Sequence, residues 1–523
     1  MTATNKQSVT VEVKSVCSAC SPVPGERGVE YTCPRESVLR ILTPIVGVAV
    51  LFLVPHFAWA QGQLRAGVAK TAVTPDVHKS KIYLGGFGHN RVATGVHDDL
   101  YVRCLALEAG GQIVVLCSVD VIGLFYDDVI KIRGQVKVQA PEVSHLVVAS
   151  THVHEGPDTL GLWGPTPLQT GIDENYLDWL DAQIVATAVR AAHSMQPARM
   201  ELSRDDHPLL ESLQSVDRPP LVKDPYLFVM RLVSVGVGKT IAVLANWSDH
   251  PETLGPENSE ITADYPHWLC QYVENHLGGT AVFFNGSIGK VSTLGNQVVL
   301  PDPETGEIAQ ERTWKKAELI GTMLGQLVER ALKSTETPTL NSILIRKSVL
   351  FAPLQNDHFR MAEAAGVFAG RKPVYSDGKL DRSTVEKELD NTGRIRFSTG
   401  HDVQTEIDYV QLWSQDRIVA EIATIPGEIY PELTNGGVTR YPGADYPDAP
   451  FEPSLRAHLK SRYQFILGLG NDELGYLIPR AEWDDQPPWL LSRPQRWYGE
   501  INSAGPDVAG VVLRGLVELI EQR

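Results

Sequence analysis

At 523 residues the chain is long enough for about three ordinary domains, or for one large α/β enzyme domain. Its apolar share of 43% and charged share of 21% are those of a globular protein with a sizeable core. A net charge of −16 excludes a nucleic-acid partner, because meeting phosphate needs clustered Lys and Arg.

Residues 1–60 read as a leader. Ile41–Ala60 is nearly uncharged, follows Arg35 and Arg40, and ends in Ala58-Trp59-Ala60, the small-x-small form of a signal-peptidase site. Cleavage after Ala60 would make the protein secreted or periplasmic. A membrane anchor is the alternative, since the stretch approaches the ~20 residues that span a bilayer. Pro44, Gly47 and Pro55 shorten its helical run and favour the signal. Cys17-x-x-Cys20 with Cys33 lacks the fourth ligand of a structural metal cluster.

From Leu64 onward the pattern alternates between short β-rich runs and longer helical ones. Tyr101–Glu108 and Gln112–Val119 read as two strands around Gly110-Gly111, a dipeptide suited to a tight hairpin. That register sets Cys104 opposite Cys117, as a disulfide or as two buried thiols, with Cys270 left over. Further strands are expected at Leu146–Ser150, Leu227–Ser234, Thr240–Asn246, Thr280–Asn285 and Ile418–Ile425. Helical spacing marks Tyr176–Met195, Tyr265–Gly278, Thr313–Lys333 and Asp507–Arg523. Residues 64–523 are therefore expected to form one α/β (or α+β) domain, a mixed sheet with covering helices. The polar stretch from Phe351 to Val403 reads as an insertion or a lid.

The residues with chemical potential sit at the ends of these strands. Thr151-His152-Val153-His154 directly follows an apolar run. Two histidines at i and i+2 of an extended chain project from one face and can reach one ion. His97, in Gly95-Val96-His97-Asp98-Asp99, has acidic neighbours that could orient its ring. Glu428 is presented by the Pro426-Gly427 turn at a strand end. Asn285-Gly286-Ser287-Ile288-Gly289-Lys290-Val291-Ser292 is a Gly-rich turn suited to an oxyanion, but neither a P-loop nor a nucleophile elbow. Asp249-His250-Pro251-Glu252 and Gly475-Tyr476 complete the set. Each alone has a bland reading as a cap, a surface histidine or a core tyrosine.

Taken in order, these segments resemble the catalytic domain of the neutral (non-lysosomal) ceramidases. The resemblance runs from Ala66–Pro75 through Gly85-Gly86-Phe87, Thr94–His97, Ser150–Pro157, Ile425–Glu428 and Gly475-Tyr476 to Tyr498–Pro506. It implies a zinc ion held by two histidines, a glutamate and a tyrosine: His97, one of His152 and His154 (with His154 favoured), Glu428 and Tyr476. It also implies hydrolysis of an N-acyl amide by a zinc-activated water, with His152, Ser292 and His250 as further catalytic groups. A lipid amide substrate and peripheral membrane contact follow. An apolar groove is expected near the metal, with Trp163, Phe284 and Trp483 as its candidate walls.

The chain departs from the family pattern at three points. Lys290 stands where the family has an aspartate, Ile429–Leu433 replaces a small polar run, and no C-terminal immunoglobulin-like domain is expected beyond Pro506. Two rival readings stay open: a serine hydrolase using Ser292 with His154 or His250, and a metal-binding, non-catalytic surface protein, which Lys290 favours.

Overall fold

Strands that are apolar at every position need cover on both faces. His145–Ser150 is buried throughout, and Gln112–Val119 at all but its first residue. The cover comes as layers of helix, sheet, sheet and helix. This computed structural model describes residues 63–368 and 401–522, and the backbone of four short strands between residues 374 and 397. The signal-like segment, Cys17, Cys20 and Cys33 lie outside the described residues, as does most of residues 369–400 in the expected insertion. Among the described residues no helix is long and apolar enough to cross a membrane.

The first sheet contains β1 Arg65–Ala72, β2 Tyr101–Ala109, β3 Gln112–Val119, β4 His145–Ser150, β5 Gln196–Asp205, β6 Leu227–Ser234, β7 Thr240–Trp247 and β8 Thr280–Asn285. Their spatial order is β8-β7-β6-β5-β1-β2-β3-β4, parallel at the β7–β8 and β3–β4 edges and antiparallel between. The second sheet pairs β9 Ser342–Leu354 with β10 His401–Ser414 and β10 with β11 Arg417–Thr424, both antiparallel. It ends in β12 Gln464–Leu467, parallel to β11. The mixed α/β class expected from the sequence is the one observed, and the expected strands and helices fall within a few residues of their places.

Period-2 alternation decides which face meets which layer. Leu105, Leu116, Phe228 and Phe284 of the first sheet meet Val410, Ile422 and Phe465 of the second in one core. The alternate residues Val102, Cys104, Val115 and Cys117 face α1 Tyr126–Gln139 and α2 Glu174–His193. Val229, Val243 and Phe283 face α3 Tyr265–Leu277 and α4 Trp314–Ala331. A short α5 Asp357–Ala364 and the C-terminal α6 Val508–Glu521 cover the second sheet. The helix starts are capped as their sequences suggest: Asp173 accepts from the amides of Asn175 and Tyr176, and Thr313 from that of Lys316.

Twist accumulated over eight strands curls the first sheet until its edges approach. Although β4 and β8 lie at opposite ends of the strand order, Ser118 of β3, next to β4, donates to the Phe283 carbonyl of β8 (2.5 Å), and Asn285 at the end of β8 donates to that of Thr151, just past β4 (2.9 Å). The second sheet docks against this seam. The Asn246 amide donates to Phe284 O (3.0 Å) and Ile466 O (2.8 Å) and accepts from Ile466 N (3.0 Å). On the far side of β4, buried Asp408 holds His145 (2.7 Å) and Asn471 (2.6 Å). The chain following β4, β7, β8, β11 and β12 is thereby gathered at one end.

Cys104 and Cys117 face each other across β2–β3 as the hairpin register requires, and they form a disulfide; Cys270 is free and buried. The double variant Cys104→Ala/Cys117→Ala is expected to lose about 2–3 kcal/mol of unfolding free energy, read by urea denaturation with m fitted separately for each protein.

Candidate metal centre

β4 runs into His152 and His154, β7 into His250, β11 into Glu428, and the chain beyond β12 into Tyr476. Ring nitrogens of His152, His154 and His250 all lie within 4.8 Å of one another, and all three residues are buried. Their rings stand edge to face, with centroids 5.0, 5.0 and 5.5 Å apart. Glu428 Oε2 lies 2.8 Å from His250 Nε2 and 3.6 Å from His152 Nε2. The Tyr476 hydroxyl is 3.3 Å from His250 Nε2.

Two of the rings are held by backbone carbonyls. His152 Nδ1 bonds Ile122 O and His250 Nδ1 bonds Val291 O, both at 2.6 Å, which turns each Nε2 toward Glu428. A carbonyl on the far nitrogen is the usual way a ligating imidazole is fixed in tautomer and orientation. His152 sits at φ 67°, a left-handed backbone uncommon outside glycine, and its amide is tied to Val121 O at 3.0 Å. His154 needs Gly86: a Cβ there would come within 2.4 Å of its ring. Gly475 has φ +77°, and its missing side chain lets the Asn502 carbonyl approach and accept from the Tyr476 amide at 3.0 Å.

One buried side chain couples the two histidine-bearing loops. Asn285, the last residue of β8, donates to Thr151 O (2.9 Å) and Asp249 O (2.8 Å) and accepts from Asp249 N (3.1 Å).

Burial lowers the His152 pKa to about 4 and holds His154 well below the usual histidine range, so both are neutral donors. Burial also opposes a charge on His250, but the Glu428 hydrogen bond and charge outweigh it and push His250 up to about 9. Burial alone would raise Glu428, yet the neighbouring His152 and His250 hold it below its ordinary value. Burial and the Glu428 charge keep the Tyr476 phenol well above its ordinary pKa.

Imidazole nitrogens, a carboxylate and a phenol around one point are a donor set for a borderline cation such as zinc. His154 stands beside this set with both ring nitrogens buried and without a hydrogen-bond partner, so the cluster as a whole holds donors that the protein itself does not satisfy. A dication there would favour ionised Glu428 and Tyr476 and displace the proton shared with His250.

Several expectations need correction. His97 is not brought to this cluster. Its ring is 32% exposed, stacks on Trp314 at 3.8 Å and bonds Asp98 at 2.8 Å, because the strand pair Gly95-Val96 with Glu260-Ile261 holds it elsewhere. His250 occupies the place expected for it. Ser292 does line a cavity with His250, but its hydroxyl donates to Glu252, and among the described residues no hydrogen bond joins it to His154 or His250. Glu252 in turn lies 3.4 Å from His154 Nδ1. The sequence offered Glu252 only as the end of Asp249-His250-Pro251-Glu252, with no signal for this link.

Lys290 does not point its charge at the histidines. It is bound to Glu432 at 2.5 Å and to Pro220 O at 2.6 Å, with both charged side chains buried. Two departures from the family pattern, Lys290 and the run containing Glu432, are thus partners of one another. This removes the feature that favoured the non-catalytic reading. A second group of potential ligands, His145, Glu406 and Asp408, is already occupied by Arg133, Lys347 and Asn471 and joins the sheets.

Two cavities flank the centre. One is walled by Phe125, Leu160, Trp163, Phe359 and Phe368 and reaches His152, His154, Glu428 and Tyr476. The other is lined by several charged side chains, Asp217, Arg218, Lys290 and Arg493 among them, and reaches His250, Glu252, Ser292 and Tyr476. Of the expected groove residues only Trp163 lies here; Phe284 is in the core between the sheets, and Trp483 lines a separate cavity.

A ceramidase complexed with C2 superposes with a TM-score of 0.62 at 14% identity, over 88% of this chain and 75% of that one. The chain has the ceramidase fold. The neutral ceramidase from Pseudomonas aeruginosa gives 0.62 at 15% identity, over 88% of this chain and 74% of its own. No family model and no curated protein matches by sequence. At these identities the ceramidase fold is what is shared.

Zinc affinity, read by competition with a chromophoric chelator, is expected to fall by about 10–100-fold in Asn285→Ala and further in His250→Ala, while His97→Ala stays near wild type. A second test concerns the Lys290 network. Burial and the charge of Glu432 push Glu482 up to about 9 from 4.5, so the folded chain holds that proton where the unfolded chain releases it. Stability from this group therefore declines as pH rises between those values. Glu482→Gln is expected to flatten the fall of the thermal midpoint between about pH 6 and 9.

Proposed function

We propose that this protein is a zinc-dependent amidohydrolase that cleaves the N-acyl bond of a lipid amide, in the manner of a ceramidase. The observation that carries this reading is a buried cluster of three histidines with Glu428 and Tyr476, opening directly into a cavity walled by apolar side chains. The ceramidase fold supports it.

We assign the metal to His152, His250, Glu428 and Tyr476. His152 and His250 share the Glu428 oxygen and have carbonyl-anchored Nδ1 atoms, whereas His154 faces Glu252. This choice reverses the preference for His154 drawn from the sequence. Zinc supplies Lewis acidity toward the amide carbonyl and acidifies a water. The chain does the rest. The apolar wall seats the acyl chain and excludes water from it. His154, 3.4 Å from Glu252 and with neither ring nitrogen committed to a hydrogen bond, is placed to pass a proton on toward the leaving nitrogen. Glu252 also fixes the Ser292 hydroxyl, which leaves Ser292 a polar lining group rather than a nucleophile. The leader makes the protein secreted or periplasmic, with contact at a membrane surface where its substrate resides.

The test is hydrolysis of amides of increasing acyl length by the zinc-loaded protein. Activity is expected to rise with chain length, to vanish on chelation, and to return with zinc. Leu162→Trp, at the partly buried rim of the apolar cavity, is expected to lower long-chain turnover by about ten-fold or more while sparing an acetyl amide. Full activity after complete metal removal would sink the proposal.

A further inference from the structure

The two cavities share Tyr476 and Tyr498, so the proposed metal ligands sit between an apolar side and a polar one. An amide cleaved there presents its acyl chain to the first and its amine portion to the second. The chemistry of the polar side therefore describes the amine portion.

Most charges on that side are already committed. Arg218 forks onto both oxygens of Glu500 at 2.7 and 2.8 Å. Lys290 is bound to Glu432, and Glu252 holds Ser292 and faces His154. Arg493 is the cation that is not committed. Its guanidinium lies over the Trp497 ring at 3.7 Å, its Nε is buried without a partner, and no acidic side chain pairs with it among the described residues. A planar, permanently charged fork braced on an aromatic face, with its donors uncommitted, suits a carboxylate. The same cavity bears Asp217, exposed and likewise outside any ion pair among the described residues.

We propose that the substrates are N-acyl amino acids, with the acyl chain in the apolar cavity and the amino-acid carboxylate on Arg493. The inference rests on the amidohydrolase reading above. A ceramide head group carries hydroxyls and no charge, so it leaves Arg493 unanswered. An N-acyl amino acid carries an anion beside the scissile bond. Water adds across the C–N bond: the carbonyl carbon gains an oxygen and leaves as a fatty carboxylate, and the nitrogen takes the protons and leaves as ammonium. The second product is a zwitterion, whose carboxylate matches Arg493 and whose new ammonium matches the acidic groups Glu252 and Asp217.

The experiment compares dodecanoyl-glycine and dodecanoyl-glutamate with two neutral amides, dodecanoyl-ethanolamine and dodecanoyl-sphingosine, on the zinc-loaded full chain. The expected result is a kcat/KM about ten-fold or more higher for the carboxylates, carried mainly by KM and reduced to parity in Arg493→Met. Preference for the neutral amides, or an equal loss on all four substrates in R493M, would overturn the proposal while leaving the amidohydrolase reading intact. If no amide is cleaved, the amidohydrolase reading fails, and calorimetric binding of dodecanoyl-glycine decides this one. A Kd raised about ten-fold or more by R493M upholds the Arg493 contact, and an equal Kd overturns it.

Discussion

The buried amide of Asn285 is the constraint on which the candidate centre depends. β4 and β8 are the two edges of an eight-stranded sheet, and nothing in a flat sheet would bring them together. Twist curls the sheet, and Asn285 closes the seam by bonding the carbonyls of Thr151 and Asp249 in one gesture. Those carbonyls begin the two loops that carry His152, His154 and His250. Asn246 repeats the device one strand away, satisfying Phe284 and both backbone groups of Ile466, and so docks the second sheet with Glu428 and Tyr476 behind it. Buried amides are costly unless every donor and acceptor is used, and here they are used to hold strand ends rather than to fill space.

From that frame the electrostatics follow. The imidazoles are too deeply buried to hold a proton unaided, so His152 and His154 are neutral, and the hydrogen bond and charge of Glu428 are what keep His250 charged. Carbonyls at Ile122 and Val291 hold the His152 and His250 rings so that each Nε2 faces Glu428. Val291 is itself positioned by a turn whose Lys290, at φ 60°, is anchored inward by Glu432. A charge reversal close to the site is thus absorbed by an acidic partner in the other sheet's loop. Removing one member of such a buried pair would strand the other.

Much of the fold was legible in the sequence because the physical signal is local. Period-2 runs gave the hairpin Tyr101–Val119 and its disulfide register, and Gly110-Gly111 marked the turn. Helical spacing located α2, α3, α4 and α6 to within a few residues. The His152/His154 pair was visible because alternation puts i and i+2 on one face. His97 was misassigned and His250 underrated for one reason: both follow or precede strands beside acidic residues, and their sequence contexts do not differ in kind. What separates them is that His97 stacks on Trp314 near the surface whereas His250 faces Glu428 in the interior.

By itself, the sequence determined the alternation of strands and helices, the buried character of the strands, and the residue types available for ligation at strand ends. Those properties depend on neighbours a few positions apart along the chain. The tertiary structure alone decided which ligands meet, that Lys290 answers Glu432, that Ser292 answers Glu252, and that an apolar cavity and a charged one lie on opposite sides of the histidines. Each of these pairings joins residues tens to hundreds of positions apart. They exist only because a curled sheet and a docked second sheet bring five strand ends to the same place.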